Sequence, residues 1–345
     1  MAARTVAIGL AGLGRIGRMH AENIARRCPS ATLAGVYDVV EDAARAVGER
    51  HGVPWTTSYG ELLERCEAVA VATPTGTHAE LVTAAARAGR PVFCEKPIAG
   101  DRAATLGVLD AVAQAGVALQ VGFHRRFDPD WVAVAERRAE LGDVTFFRAS
   151  LRDMTPPHPE FLTASGGFFA DVAVHELDVA RWLVGEIAEV SAFGSAHDPA
   201  FAEIGDIDTA VVVLRFASGA LGAVDLSRGS RYGYESSTEL MGTRATARVE
   251  TPRAVEWRTP GQASYALPAD FVERYPAAYV EELDAFARCV REATPSRCTG
   301  LDALAAFDLA VAADRSWRTG RPVAVKPVPV SSDPADGVVY EIEET

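Results

Sequence analysis

Thr5-Val6-Ala7-Ile8-Gly9-Leu10-Ala11 runs directly into Gly12-Leu13-Gly14-Arg15-Ile16-Gly17, and a helical pattern, Ile16–Arg26, follows. A short apolar strand that ends in G-x-G-x-x-G and opens a helix is the layout of a dinucleotide-binding turn. The first glycine permits the tight turn and the second lets main-chain amides approach a pyrophosphate. The third lets the helix pack close to the strand, with the phosphates at the helix N-terminus. Asp38 ends the next apolar run, Thr32–Asp38, about twenty residues further on, where a ribose 2′-hydroxyl needs an acceptor. Val39-Val40 follows, with no Arg to receive a 2′-phosphate, so the pattern favours NAD over NADP.

Outward from this turn, short apolar runs at Ala68–Thr73, Pro91–Glu95 and Ala118–Phe123 alternate with helical stretches at His78–Ala88 and Ala103–Ala115. That βαβα order implies a parallel sheet with helices on both faces. Past residue 142 the texture changes. Asp143–Arg152, Ala188–Ala196, Asp208–Phe216, Ala220–Ser227 and Ser237–Glu250 read as longer strands, and Ser218-Gly219 forms a tight turn between two of them. One helix interrupts the series from the Gly166-Gly167 break to Gly185, and Ala277–Glu292 and Leu301–Trp317 close the fold. The expected class is an α/β Rossmann domain, residues 1–122, plus an α+β domain with a large, mostly antiparallel sheet, residues 123–345. The chain has no internal repeat, and only the Pro-rich, acidic tail after residue 326 is compositionally biased.

A length of 345 residues suits two domains, and 48% hydrophobic with 23% charged residues is an ordinary globular balance. The formal charge of -13 argues against nucleic acid, which is held by clustered Lys and Arg. Cys28, Cys66, Cys94, Cys289 and Cys298 include no CxxC pair, so neither a common zinc site nor a disulfide scaffold is expected, and no metal. They read as buried reduced thiols of a cytoplasmic protein. No run approaches the roughly eighteen apolar residues that span a bilayer.

Three further pieces carry chemistry: Ala72-Thr73-Pro74-Thr75-Gly76-Thr77-His78, Glu95-Lys96-Pro97 and Asp171-Val172-Ala173-Val174-His175. The first two lie at carboxyl ends of expected parallel strands, where open α/β sheets bind ligands. In the third, helical spacing puts Asp171 and His175 on one face, continued by Asp178. With Gln120-Val121-Gly122-Phe123-His124-Arg125-Arg126-Phe127-Asp128, Gly166-Gly167-Phe168-Phe169-Ala170-Asp171 and Asp206-Ile207-Asp208-Thr209-Ala210, the chain resembles the glucose–fructose oxidoreductase / inositol dehydrogenase / MocA family over nearly its whole length, the inositol 2-dehydrogenases above all.

The resemblance implies an NAD-dependent dehydrogenase acting on a polyol secondary alcohol, first of all myo-inositol at its 2-hydroxyl. It implies cofactor contacts at Gly12, Gly14, Arg15, Ile16, Asp38, Thr73, Pro74, His78, Glu95, Lys96 and His124. Lys96 resembles the family's active-site lysine, with a cis bond to Pro97. Asp171 and His175 resemble the carboxylate–imidazole pair that handles the proton, and Arg125, Asp153, Asp178 and Tyr234 fall where relatives contact substrate. The chemistry agrees: a histidine is a suitable base at neutral pH, a neighbouring carboxylate orients it, and an ammonium favours charge on the reacting oxygen. The family also implies a homodimer or homotetramer through the second-domain sheet, whose runs Val211–Phe216 and Leu221–Leu226 are apolar on both faces. His124 and Glu235 depart from the pattern of the inositol enzymes, so another inositol isomer, a sugar or a glycoside stands as the alternative substrate. An NAD-binding sensor without turnover is the alternative from another class. His20, His51, His158 and His197 share no spacing and read as structural or surface residues.

Overall fold

The computed structural model describes residues 4–154, 166–251, 255–329 and 338–342. His158 and Ser165 lie outside the described residues. The chain divides into two compact units, one of residues 1–128 and 277–304, the other of residues 129–276 and 305–345.

In the first unit, six parallel strands, β1 (Val6–Ala11), β2 (Ala31–Tyr37), β3 (Trp55–Thr56), β4 (Ala68–Val71), β5 (Val92–Cys94) and β6 (Leu119–Val121), lie in the order β3-β2-β1-β4-β5-β6. They are connected by helices α1 (Arg15–Arg26), α2 (Glu41–His51), α3 (Tyr59–Arg65), α4 (Thr75–Arg87) and α5 (Arg102–Ala115). Central strands bury both faces, so they read as continuous apolar runs: all four residues of β4 are buried. The strand order reverses between β1 and β4, which is where such sheets open a crevice for a ligand. After β6 a 3₁₀ turn, His124–Phe127, ends the first pass of the chain through this unit.

The chain returns to the first unit with α8 (Pro276–Glu292), a return not visible in reading along the chain. Leu283, Phe286 and Ala287 of α8 join the core of Ile8, Leu10, Ile24 and Phe93, all buried. Gln120 of β6 donates to the Glu282 carbonyl oxygen at 2.6 Å, and Asp284 accepts from the Ser30 amide at 2.7 Å.

The second unit is built on eight strands: β7 (Val144–Arg152), β8 (Ile187–Ser195), β9 (Thr209–Phe216), β10 (Leu221–Ser227), β11 (Glu235–Gly242), β12 (Thr246–Val249), and later β15 (Val323–Pro329) and β16 (Val338–Ile342). Their order is β12-β11-β7-β10-β9-β8-β15-β16. Every pair is antiparallel except β7 with β10. The Ser218-Gly219 turn joins β9 to β10, with Gly219 at φ 89°. Gly219 lets the backbone take that left-handed conformation without a Cβ clash.

Burial in β9 alternates strictly, Ala210, Val212, Leu214 and Phe216 facing inward. Beyond the sheet lie α6 (Pro129–Glu136), α7 (Val174–Val184) and an exposed hairpin, β13 (Glu256–Thr259) and β14 (Gln262–Tyr265). The tail after residue 326 is therefore not plain low-complexity sequence, since β15 and β16 pair from Val325–Ile342 to Pro329–Val338. At the end of α9 (Gly300–Thr319), Ser316 ties the second unit by accepting from the Ala192 amide at 2.9 Å.

Candidate active site

The glycine loop of the first unit has the geometry its sequence requires. Gly12 sits at φ 90°, and a Cβ there would fall 2.6 Å from the Ala72 backbone. At Gly17 a Cβ would meet the Gly12 carbonyl oxygen at 1.9 Å, the close approach that lets α1 pack on β1. Gly14, by contrast, has nothing within 4 Å of its Cβ position, and it caps α1 with no side-chain hydrogen bond. The first-turn amides of α1 are thus left without a side-chain cap beside open space, a cradle that fits a pyrophosphate. Arg15 and Ile16 open that helix. Asp38 is held by main chain: one carboxylate oxygen accepts from Leu13 N at 2.8 Å and the other from Val40 N at 2.9 Å. The carboxylate that would meet the ribose is thereby tied to the glycine loop itself.

Two more loops of this unit are tied by one side chain. His78, 1% exposed, places Nδ1 2.8 Å from the Pro97 carbonyl oxygen and Nε2 2.7 Å from the Thr73 carbonyl oxygen. Its place is behind the Thr73-Pro74 turn, joining that turn to the Glu95-Lys96-Pro97 segment. The Lys96–Pro97 peptide is cis, as the resemblance implied. Glu95 turns its carboxylate into the unit, onto His20 Nε2 at 2.7 Å. His124 and Arg125 are buried in the 3₁₀ turn after β6, and His124 stacks on Tyr279 with centroids 4.9 Å apart. Arg126 pairs with Asp302 at 3.2 Å.

The second unit carries the remaining candidates. Phe169–Ala173 forms a π-helical turn that leads into α7, so Asp171 lies in the wide turn and His175 in the first regular one. The regular 3.6-residue period by which the pair was placed on one face does not run through this segment. Wide turns of this kind are frequent at functional sites. Asp171 is ion-paired through Oδ2 with Arg228 NH2. His175 is half-buried and Asp178 fully buried. Asp153 follows β7, its amide donating to Ser227 O at 2.8 Å. Tyr234 is buried edge-on to Tyr275, its amide donating to Pro268 O at 2.8 Å. The Asp206-Ile207-Asp208-Thr209 segment supports both ends of nearby loops. Asp206 accepts from the Phe168 amide at 3.1 Å, and Asp208 accepts from the amides of His197 and Asp198, each at 2.7 Å.

Comparison with known proteins fits this architecture. A family model described as "Oxidoreductase family, NAD-binding Rossmann fold" matches residues 6–123, and one described as "GFO/IDH/MocA C-terminal domain" matches residues 135–248. A myo-inositol 2-dehydrogenase of Thermotoga maritima is 38% identical, over 93% of this chain and 99% of its own. The chain belongs to the Gfo/Idh/MocA family. A scyllo-inositol 2-dehydrogenase (NAD(+)) of Bacillus subtilis is 36% identical over 90% of this chain and 94% of its own. The solved scyllo-inositol dehydrogenase of Lactobacillus casei, with bound NAD(H) and scyllo-inositol, superposes with a TM-score of 0.87 at 27% identity, covering 93% of this chain and 99% of that one.

This Gfo/Idh/MocA protein is an NAD-dependent dehydrogenase of CH–OH donors. Sequence reasoning missed two residues around its candidate site. Arg228, 1% exposed and 5.5 Å from the Phe168 ring, is Asp171's buried partner. It follows β10 in an unremarkable Ser-Arg-Gly stretch, where no spacing points to it. Glu282 is 0% exposed. Its signal was present, because Glu282 falls three residues after Tyr279 and four before Phe286, inside the apolar stripe of α8. The five cysteines are all free and buried, as expected. Among the described residues, no helix is long and apolar enough to cross a membrane.

Proposed function

We propose that the enzyme is an inositol 2-dehydrogenase, converting myo-inositol to its 2-keto inosose. The observation that carries this reading is the extent of the likeness to the inositol enzymes: more than a third of residues identical over at least nine-tenths of the chain, in both units. NAD, when bound, supplies the hydride acceptor. The chain's own part is to hold the polyol and move one proton. His175 accepts the hydroxyl proton on an imidazole nitrogen as the carbonyl forms. Asp171, fixed by Arg228, orients that imidazole and stabilises its charged form. Lys96 donates to the reacting oxygen and favours negative charge there. Arg125, Asp153, Asp178 and Tyr234 hold the other hydroxyls. On the cofactor side, the α1 amides beside Gly14 would receive the pyrophosphate and Asp38 the ribose, with Thr73, Pro74 and His124 as further contacts.

We also propose a homodimer or homotetramer located in the cytoplasm. On one face of the second unit's sheet, Phe193, Val211, Val213, Leu221 and Met241 are between 43% and 65% exposed. Cross-strand register aligns Phe193 with Val211, and Leu221 with Phe146 and Met241. An apolar face of that kind is what a homodimer or homotetramer covers. Five buried free thiols suit the cytoplasm. The test of substrate is NADH formation across inositol isomers, free sugars and glycosides. The highest kcat/KM is expected with myo-inositol, and a sugar or glycoside preferred over every inositol would replace the substrate named here.

A further inference from the structure

Three polar side chains meet inside the first unit, and none is used in the reaction described above. His20 projects from α1, Glu95 from the end of β5 and Glu282 from α8. Their nearest nitrogen and oxygen atoms all lie within 4.8 Å of one another. His20 and Glu282 are 0% exposed. Glu95 is hydrogen-bonded to His20 Nε2 at 2.7 Å through Oε1. Its Oε2 occupies the space that a Cβ at Gly122 would enter, at 2.9 Å, so Gly122 is the residue that admits this carboxylate. Neither carboxylate oxygen of Glu282 has a hydrogen-bond partner among the described residues.

Two ionised carboxylates this close in a buried setting repel strongly, and an isolated buried charge is costly in itself. A proton on one of them removes both costs. Burial first, and the Glu95 charge second, push the Glu282 carboxyl well above the ordinary range. Of the two carboxylates, Glu95 is the one bonded to His20 and the less buried. A shared metal ion fits less well, since His20 Nε2 and Glu95 Oε1 at 2.7 Å are bonded to each other rather than spread around a cation at about 2.0–2.2 Å from each.

We propose that Glu282 is a positioning residue: kept as a neutral acid, it leaves Glu95 as the cluster's single negative charge, so Glu95 stays on His20 and against Gly122. That one carboxylate then joins three pieces of the cofactor unit, namely the helix carrying the glycine loop, the segment entering His124, and Lys96, its own neighbour in the chain. The inference rests on the reading of Lys96 as an active-site group. The groups facing Glu282 are Glu95 and His20. Tyr279, one turn earlier on α8, packs edge-on to His20 with centroids 6.1 Å apart. Beyond them, burial above all pushes the Cys28 thiol up to about 12, with Asp284 and Glu281 adding to it and Arg288 opposing. Ionising Glu282 would set a second charge against Glu95 and loosen the tie on Lys96.

A carboxyl whose value is raised in the folded state contributes stability below its unfolded value, and that stability is lost as pH rises toward the folded value. Glu282→Gln is permanently neutral and of the same shape. The melting temperature of Glu282→Gln should therefore gain on the wild type steadily from about pH 5 upward. In turnover, an alkaline limb in the wild-type kcat should vanish or move upward in Glu282→Gln.

A melting difference that is constant or shrinks with pH, or an alkaline limb identical in both proteins, would overturn the proposal. So would one equivalent of tightly held metal in the dialysed enzyme. If Glu282→Gln does not fold, the infrared spectrum of the wild type at pH 8 decides. The carbonyl band of a protonated carboxylic acid is expected there, and its absence refutes the neutral acid. The melting and infrared measurements hold whether or not a polyol is oxidised, so they separate this inference from the assignment of substrate.

Discussion

Replacing Arg228 by Met removes the guanidinium that holds Asp171 while keeping an apolar side chain of moderate length under the Phe168 ring. Arg228 is 1% exposed and the Asp171 side chain 19%, so the variant leaves a mostly buried carboxylate without its counter-charge. Breaking a buried pair costs about 3–5 kcal/mol, and the residual exposure of Asp171 places this one near the lower end. The effect on rate is separable. If Asp171 only loses orientation, kcat should fall about 10- to 100-fold, which is about 1.4–2.7 kcal/mol of barrier. That is less than loss of the base itself, expected to cost about a hundredfold or more. NADH formation at saturating inositol and NAD measures the rate, and fluorescence titration with NADH should show unchanged cofactor affinity, because the glycine loop and Asp38 belong to the other unit. Asp171→Asn and the double variant complete a cycle, in which contact between the two residues should appear as a coupling of about 1 kcal/mol or more. Arg228→Met with wild-type melting and turnover, or strictly additive effects in the cycle, would refute the role given to this pair.

Lys96→Ala should lower kcat and raise KM for the polyol together, because the ammonium touches a substrate hydroxyl; a change in KM for NAD alone would contradict that. Asp38→Ala should reduce the NAD-over-NADP ratio of kcat/KM by roughly tenfold or more, about 1.4 kcal/mol; an unchanged ratio would remove Asp38 from cofactor choice. Asp208 tests acid stability. Burial pushes its carboxyl up, but the Asp198 amide, the Thr209 hydroxyl and the His197 amide and charge together hold it below the ordinary range. Its contribution is present above the unfolded value and lost as pH falls, so the melting deficit of Asp208→Asn should shrink as pH drops below about 4. A deficit independent of pH would show that the carboxylate's charge is not what stabilises that loop. Light scattering at micromolar concentration should give a dimer or tetramer; a monomer would leave the Phe193–Val211 face unexplained.

The glycine loop, the strand ends bearing Asp38 and Lys96, and the long strands of the second unit could be read from the sequence, because each is specified locally. A glycine at φ 90°, an apolar run or a strict alternation needs no distant partner to be recognised. Features that depend on distant partners were not legible. The two-residue strand Trp55–Thr56 is too short to show a period. Val323–Pro329 looks like tail because its prolines weaken the strand signal, and pairing with Val338–Ile342 supplies what the local sequence lacks. The return of α8 to the first unit is decided by which core Leu283 and Phe286 fit, not by their spacing. Arg228 shares that limit: a charged residue reads as surface until the structure shows what encloses it. At Asp171 and His175 the helix could be read from the sequence, but the π-helical turn, Phe169–Ala173, departs from the 3.6-residue period that aligns them.

In the proposed reaction, His175 takes the polyol's hydroxyl proton. The most direct test is the pH profile of kcat/KM for inositol oxidation in the wild type and in His175→Ala. The wild-type profile should fall on the acidic side as the base is protonated. In His175→Ala that limb should vanish or move, with kcat down by roughly a hundredfold or more and NADH affinity unchanged. Near-normal turnover with the acidic limb in place would contradict the claim.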